Sequence, residues 1–173
     1  NHWLKSNWKF QARKNISYHY DLGNQFYREW LDKTMTYSSA LFKNKREVLS
    51  TAQTNKYESI CRNLNLKEGD SVLEIGCGWG GFAEHAIKTR GVKLTGLTLS
   101  KEQLDYSKKR MFELGLADKS SFLLQDYRDE KGIYDGVVSI EMFEAVGEKY
   151  WPIYFKTVKN SLKNGGLGCL QVI

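Results

Sequence analysis

From residue 71 onward, short apolar runs alternate with segments whose apolar positions recur at helical spacing. The runs at 71–76, 93–97, 121–125, 136–140 and 168–173 read as strands, and 81–90, 101–114 and 148–162 read as helices. Strand alternating with helix predicts an α/β domain, a doubly wound and mostly parallel sheet whose ligand lies at the carboxyl ends of the strands. Ser100 with Gln103 three residues on forms a capping-box signature at the head of one helix. The pattern before residue 67 differs. Leu4, Trp8 and Ala12 share a helical face beside a basic stripe of Lys5, Lys9 and Arg13, and Asn24 is expected to cap a short helix through Phe26, Tyr27, Trp30 and Leu31. A longer helix is expected over 47–64, and Glu68-Gly69-Asp70 turns the chain into the first strand. The division is therefore an N-terminal helical region, 1–66, covering the site of a core at 67–173.

The most informative stretch is Val72-Leu73-Glu74-Ile75-Gly76-Cys77-Gly78-Trp79-Gly80-Gly81. A buried strand runs into a glycine turn where backbone approaches a ligand without Cβ obstruction, and the next helix points unpaired N–H groups at it. Gly76, Gly78 and Gly81 satisfy the spacing of a dinucleotide fingerprint. The strand after it, however, ends in Thr98-Leu99-Ser100 and lacks the acid that an NAD ribose requires. Glu74 at the strand end is placed to take a cationic amine or a hydroxyl. Cys77 is read as a small residue fitting the turn rather than as a reactive thiol.

Composition adds bounds. A chain of 173 residues, 41% hydrophobic with one proline, is one domain's worth with a sizeable core. No apolar run approaches the length of a membrane span. The three cysteines have no metal-ligand spacing, so no metal is expected, and their odd number suits a cytoplasmic setting. The net charge of +6 favours anionic partners, nucleic acid or an anionic membrane surface. Both ends read as cut, since the chain opens at Asn1 and stops at Ile173 inside an apolar strand; a fragment of a longer protein is expected.

Four segments gather where the ligand should lie: the glycine turn, Thr98-Leu99-Ser100, Asp126-Tyr127, and Ile140 to Glu144. Asp126 can accept from an adenine amino group, Tyr127 offers an aromatic face, and Gln103 can reach back towards a ribose.

His19-Tyr20-Asp21-Leu22-Gly23-Asn24, Thr34-Met35-Thr36-Tyr37-Ser38, Gly76-Cys77-Gly78-Trp79-Gly80-Gly81, Gly96-Leu97-Thr98-Leu99-Ser100-x-x-Gln103, Asp126-Tyr127-Arg128-Asp129 and Met142-Phe143-Glu144-x-Val146-Gly147 occur in this order. Together they resemble cyclopropane-fatty-acyl-phospholipid synthases and their mycolic-acid-modifying relatives, class I methyltransferases with a Rossmann-like core. The resemblance implies S-adenosylmethionine (SAM) as methyl donor, contacted by Tyr37, Ser38, Glu74, Gly76, Cys77, Gly78, Gly80, Thr98, Leu99, Gln103, Asp126 and Tyr127. It implies that Tyr20 lines the site near the transferred methyl. It also implies that Glu144 helps hold a bicarbonate ion that acts as base, beside residue 39. His19 is read as packing rather than as a base.

The implied reaction transfers a methyl to the double bond of an unsaturated phospholipid acyl chain at a peripheral position on the inner, anionic face of a membrane, with no nucleic acid as partner. Water must be excluded from the cation that forms, and aromatic faces stabilise it. Loss of one proton with ring closure gives a cyclopropane. Loss of another, or hydride addition, gives a methylene or methyl branch. Two positions depart from the family pattern: Ser39 stands for its cysteine and Ala145 for its histidine. The family's remaining bicarbonate ligands, a histidine and a tyrosine, are expected beyond Ile173, so these 173 residues alone are expected to be inactive. The sequence leaves the product and a possible homodimer open. It also leaves two rivals, a class I methyltransferase for a small molecule and a SAM-binding pseudoenzyme. A nucleic-acid methyltransferase is disfavoured by the lack of an Asn/Asp-Pro-Pro-Tyr motif.

Overall fold

A computed structural model of the protein describes residues 23–173. The basic stripe, His19 and Tyr20 lie outside the described residues. In chain order the described elements are α1 (Gly23–Arg28), α2 (Leu49–Asn63), β1 (Ser71–Ile75), α3 (Gly81–Arg90), β2 (Lys93–Thr98), α4 (Lys101–Glu113), β3 (Ser120–Leu124), β4 (Tyr134–Ile140), α5 (Trp151–Asn160) and β5 (Leu162–Gln171). The five strands form one sheet in the order β3-β2-β1-β4-β5, and every pairing is parallel. Strand order reverses between β1 and β4, which opens a crevice at their carboxyl ends.

Burial explains the near-continuous apolar runs. Val72 and Val138 face one core with Tyr57, Phe82 and Leu94. Leu73, Ile75 and Val137 face the other, with Tyr154 and Val158. Helices thus cover both faces of the central strands, which leaves no polar face to mark them.

Three local expectations are corrected. Asn24 is not a cap; it lies inside α1 and uses its side chain to accept from Trp79 Nε1 (2.6 Å). Among the described residues before 67, the stretch 29–48 is not helical, contrary to the helical reading of that region. Asp32 accepts from the Thr34 amide (3.1 Å) and hydroxyl (2.7 Å), a side-chain turn that competes with helix, and Met35 takes φ +55°. At the far end, residues 148–150 form a 3₁₀ turn, and Pro152 helps start α5 at Trp151. The last strand then begins at Leu162 rather than near Gly168. An irregularity in the β4–β5 pairing between Tyr134 and Gly136 absorbs the glycine-rich 164–166 segment, where Gly165 has φ +80°.

Candidate active site

A cavity of about 520 Å³ opens at the carboxyl ends of β1 to β4, within the size range of small-molecule sites. The glycine turn forms its floor. Gly76, Gly78 and Gly80 have φ of +84°, +51° and +79°, conformations that side chains with a Cβ seldom take. Their reasons differ. A Cβ on Gly78 would meet nothing, so that backbone is bare towards the cavity. One on Gly76 would lie 2.9 Å from Met142, and one on Gly80 3.3 Å from the Ser107 hydroxyl. Gly76 therefore admits Met142 of the opposite wall, whereas Gly80 packs the turn on α4 and does not line the cavity.

All the other expected SAM contacts converge there: Tyr37, Ser38, Glu74, Cys77, Thr98, Leu99, Gln103, Asp126 and Tyr127 line the cavity. Glu74 is 2% exposed and its Oε2 has no hydrogen-bond partner. Burial holds its carboxyl well above the usual range, against the opposing charges of Lys56 and Arg110. A buried carboxyl oxygen without a donor costs about 1–3 kcal/mol, which a ligand ammonium or hydroxyl would relieve. Cys77 is likewise buried and its thiol is pushed up, consistent with a space-filling role.

Polar groups already paired constrain what a ligand meets. Ser100 caps α4 by accepting from the Gln103 amide (3.3 Å), but the Gln103 side chain does not return the bond. Its Oε1 accepts from Thr98 Oγ1 (2.8 Å), and Thr98 Oγ1 in turn accepts from the Ser100 amide (3.1 Å). The capping box is thereby rerouted through Thr98, and the Gln103 carboxamide keeps its NH₂ for a ligand. Asp126 is not free for adenine alone. It holds Arg128 through Oδ1 to Nε (2.8 Å) and Oδ2 to Nη2 (2.6 Å), and the guanidinium stands 5.6 Å from the Tyr127 ring centre.

The residues expected to carry the chemistry lie differently. Glu144 is exposed, is not on the cavity wall, and accepts from the Ile173 amide (2.7 Å). Ser39 is also off the wall, but its amide (2.8 Å) and its hydroxyl both donate to Oε1 of Glu141, which is on it. Glu141 holds φ +47°, a strained conformation for such a residue that costs about 1–3 kcal/mol.

Four further residues organise the site and were not singled out from the sequence. Lys56 is 4% exposed and donates to Ser38 Oγ (2.6 Å) and the Ser39 carbonyl (2.8 Å); burial lowers its pKa to about 8. Gln53 donates to the Ser38 carbonyl (2.8 Å). Arg110 ties Thr34 O (2.9 Å) and Trp79 O (3.2 Å) to Glu84 (2.7 Å). Trp79, 2% exposed, packs its ring 4.8 Å from that of Tyr27 at an angle of 52°, so the segment before α2 is held over the turn. Lys56 and Gln53 left a faint signal, polar residues on the inner face of an amphipathic helix. Arg110 left none.

A doubly wound parallel sheet with a glycine turn and a crevice at the β1–β4 reversal is the class I methyltransferase fold. Residues 8–173 match the family described as mycolic acid cyclopropane synthetase, and the chain belongs to it. It is 44% identical over 154 residues to a probable fatty acid methyltransferase of Pseudomonas putida, covering 88% of this chain and 39% of that one. It is 42% identical over 155 residues to the cyclopropane-fatty-acyl-phospholipid synthase of Escherichia coli K12, covering 90% and 39%. The mycolic acid cyclopropane synthase CmaA1 complexed with SAH and CTAB superposes with a TM-score of 0.84 at 32% identity, covering 87% of this chain and 53% of that one. The chain thus spans about two-fifths of the length of these curated relatives.

Proposed function

We propose that the complete protein is a SAM-dependent C-methyltransferase that acts on the double bond of an unsaturated phospholipid acyl chain. The carrying observation is the cavity itself, with a bare Gly78 backbone and an unpartnered Glu74 oxygen on the wall beneath the strand ends. The relative crystallised with SAH, the demethylated form of SAM, supports the same ligand class. When bound, SAM supplies an electrophilic methyl on a sulfonium. The chain's own residues do the rest. Glu74 would receive the ammonium, Gln103 NH₂ a ribose hydroxyl, and Asp126 an adenine amino proton beside Arg128. Tyr37, Tyr127 and Met142 line the wall with apolar surface that excludes water, and the tyrosine rings favour positive charge.

Among the described residues no helix is long and apolar enough to cross a membrane. We propose that the lipid is reached from a membrane surface, with Lys5, Lys9 and Arg13 supplying attraction to anionic headgroups. Expressing the complete open reading frame that contains these residues in a host lacking such lipids, followed by lipid mass spectrometry, tests the reading. A mass gain of one carbon on unsaturated acyl chains is expected. Unchanged lipids together with methylation of a soluble small molecule would overturn it.

A further inference from the structure

Ser39, Glu141 and Gln171 come from three separate stretches: the segment before α2, the residue after β4, and the last position of β5. The Ser39 amide (2.8 Å), the Ser39 hydroxyl and Gln171 Nε2 (2.7 Å) all donate to Oε1 of Glu141. Gln171 Nε2 also reaches Ser39 Oγ (2.9 Å), and the Gln171 carbonyl accepts from the Glu141 amide (2.9 Å). Lys56 holds the two serines in place from α2. Converging amide and hydroxyl donors make an anion site, and here its anion is a side chain of the protein. Every hydrogen bond to the Glu141 carboxylate among the described residues falls on Oε1, and Glu141 is on the cavity wall. Oε1 is fixed, and Oε2 remains to accept a proton. Glu141 also takes the left-handed backbone conformation at φ +47°. Such strain persists only where surrounding structure holds it, and it gathers at reacting centres.

We propose that Glu141 is the catalytic base of this protein, a built-in carboxylate that engages the Ser39 and Gln171 donors and makes a bound bicarbonate unnecessary. The inference rests on the lipid methyltransferase reading. The π pair of the acyl double bond forms the new C–C bond to the methyl, and the former S–CH₃ pair stays on the sulfur of the sulfonium donor. The adjacent carbon is left cationic. A C–H bond then breaks: its pair closes the cyclopropane or forms a new double bond, and its proton goes to Glu141 Oε2. Glu144, exposed and bonded to the Ile173 amide, is not on that wall.

The test uses the complete open reading frame, SAM, and vesicles of cis-monounsaturated phosphatidylethanolamine and phosphatidylglycerol, with lipid mass spectrometry in carbon-dioxide-free buffer. Wild-type turnover should be the same, within about twofold, with and without added bicarbonate. Glu141→Gln should lower kcat by about two to four orders of magnitude while SAM affinity by calorimetry stays within about threefold. Glu141→Ala reopens the donors, so bicarbonate or formate should restore about tenfold or more of its lost rate. A readout without turnover accompanies these: ¹³C-bicarbonate NMR should broaden with Glu141→Ala and not with wild type. Wild-type turnover that stops without bicarbonate, near-full activity of Glu141→Gln, or bicarbonate binding to wild type would overturn the proposal. If no lipid is methylated by any variant, the lipid reading falls, and the NMR comparison still decides what fills the donors.

Discussion

The two walls of the cavity are built by different means. The wall under the glycine turn is made of backbone: Gly76 and Gly78 take conformations that the short sequence specifies on its own, and Leu97 O accepts from the Gly76 (3.0 Å) and Cys77 (2.9 Å) amides to lock the turn to β2. The opposite wall, at Ser38 and Glu141, is held from behind by side-chain bonds spanning 18 residues from Ser38 to Lys56 and 102 from Ser39, which lies off the wall, to Glu141. The difference teaches where tolerance should lie. A backbone wall fails when any Cβ is added in the wrong place. A side-chain wall can be rebuilt with other residues that meet the same donors, and here it holds serine where the family pattern has cysteine.

The largest effect should come from Trp79, the residue that anchors α1 and the segment before α2 on the glycine turn. Trp79→Ala removes the bond to Asn24 and the tilted ring contact with Tyr27, and should cost about 3–5 kcal/mol in denaturant unfolding. A cost under about 1 kcal/mol would mean that the segment before α2 is not anchored there.

Gly78→Val tests the backbone wall directly. Its Cβ would point into open space at φ +51°, so the fold should survive with strain while SAM affinity falls about a hundredfold by calorimetry, or about 2.7 kcal/mol. Unchanged SAM binding, or binding of NAD in its place, would break the assignment of that wall.

Lys56→Met sharpens the contrast from the other side. It strips donors from Ser38 Oγ and Ser39 O, and SAM affinity should fall about tenfold. The same lysine gives the fold a pH signature. Burial lowers its pKa from 10.5 to about 8, so between those values the unfolded chain binds the proton and the folded chain does not. Stability of the wild type relative to Lys56→Met should therefore rise as pH goes from about 8 to 10.5, and should be flat below about pH 7. Parallel stability curves across that window would show that Lys56 is not desolvated.

The smallest effect per residue is the peripheral one. Charge reversal at Lys5, Lys9 and Arg13 should weaken sedimentation with anionic liposomes by about 1 kcal/mol per charge. No change would remove the stripe from membrane docking.

The sequence by itself determined the parallel α/β core, because apolar runs and helical spacing are local signals, and the glycine turn, because positive φ demands glycine wherever it occurs. It also carried the cavity-lining roles of Thr98, Gln103 and Asp126, since each follows a strand end and topology alone gathers strand ends at one edge. Only the tertiary structure decided which polar groups reach that cavity with a hand free. It left Glu144 off the wall, bonded to the Ile173 amide, and brought Glu141 to Ser39 and Gln171. The physical reason is range: backbone conformation is set by neighbours in the chain, whereas a side-chain hydrogen bond is set by whichever donor the packed helices and strands bring within 3 Å of it.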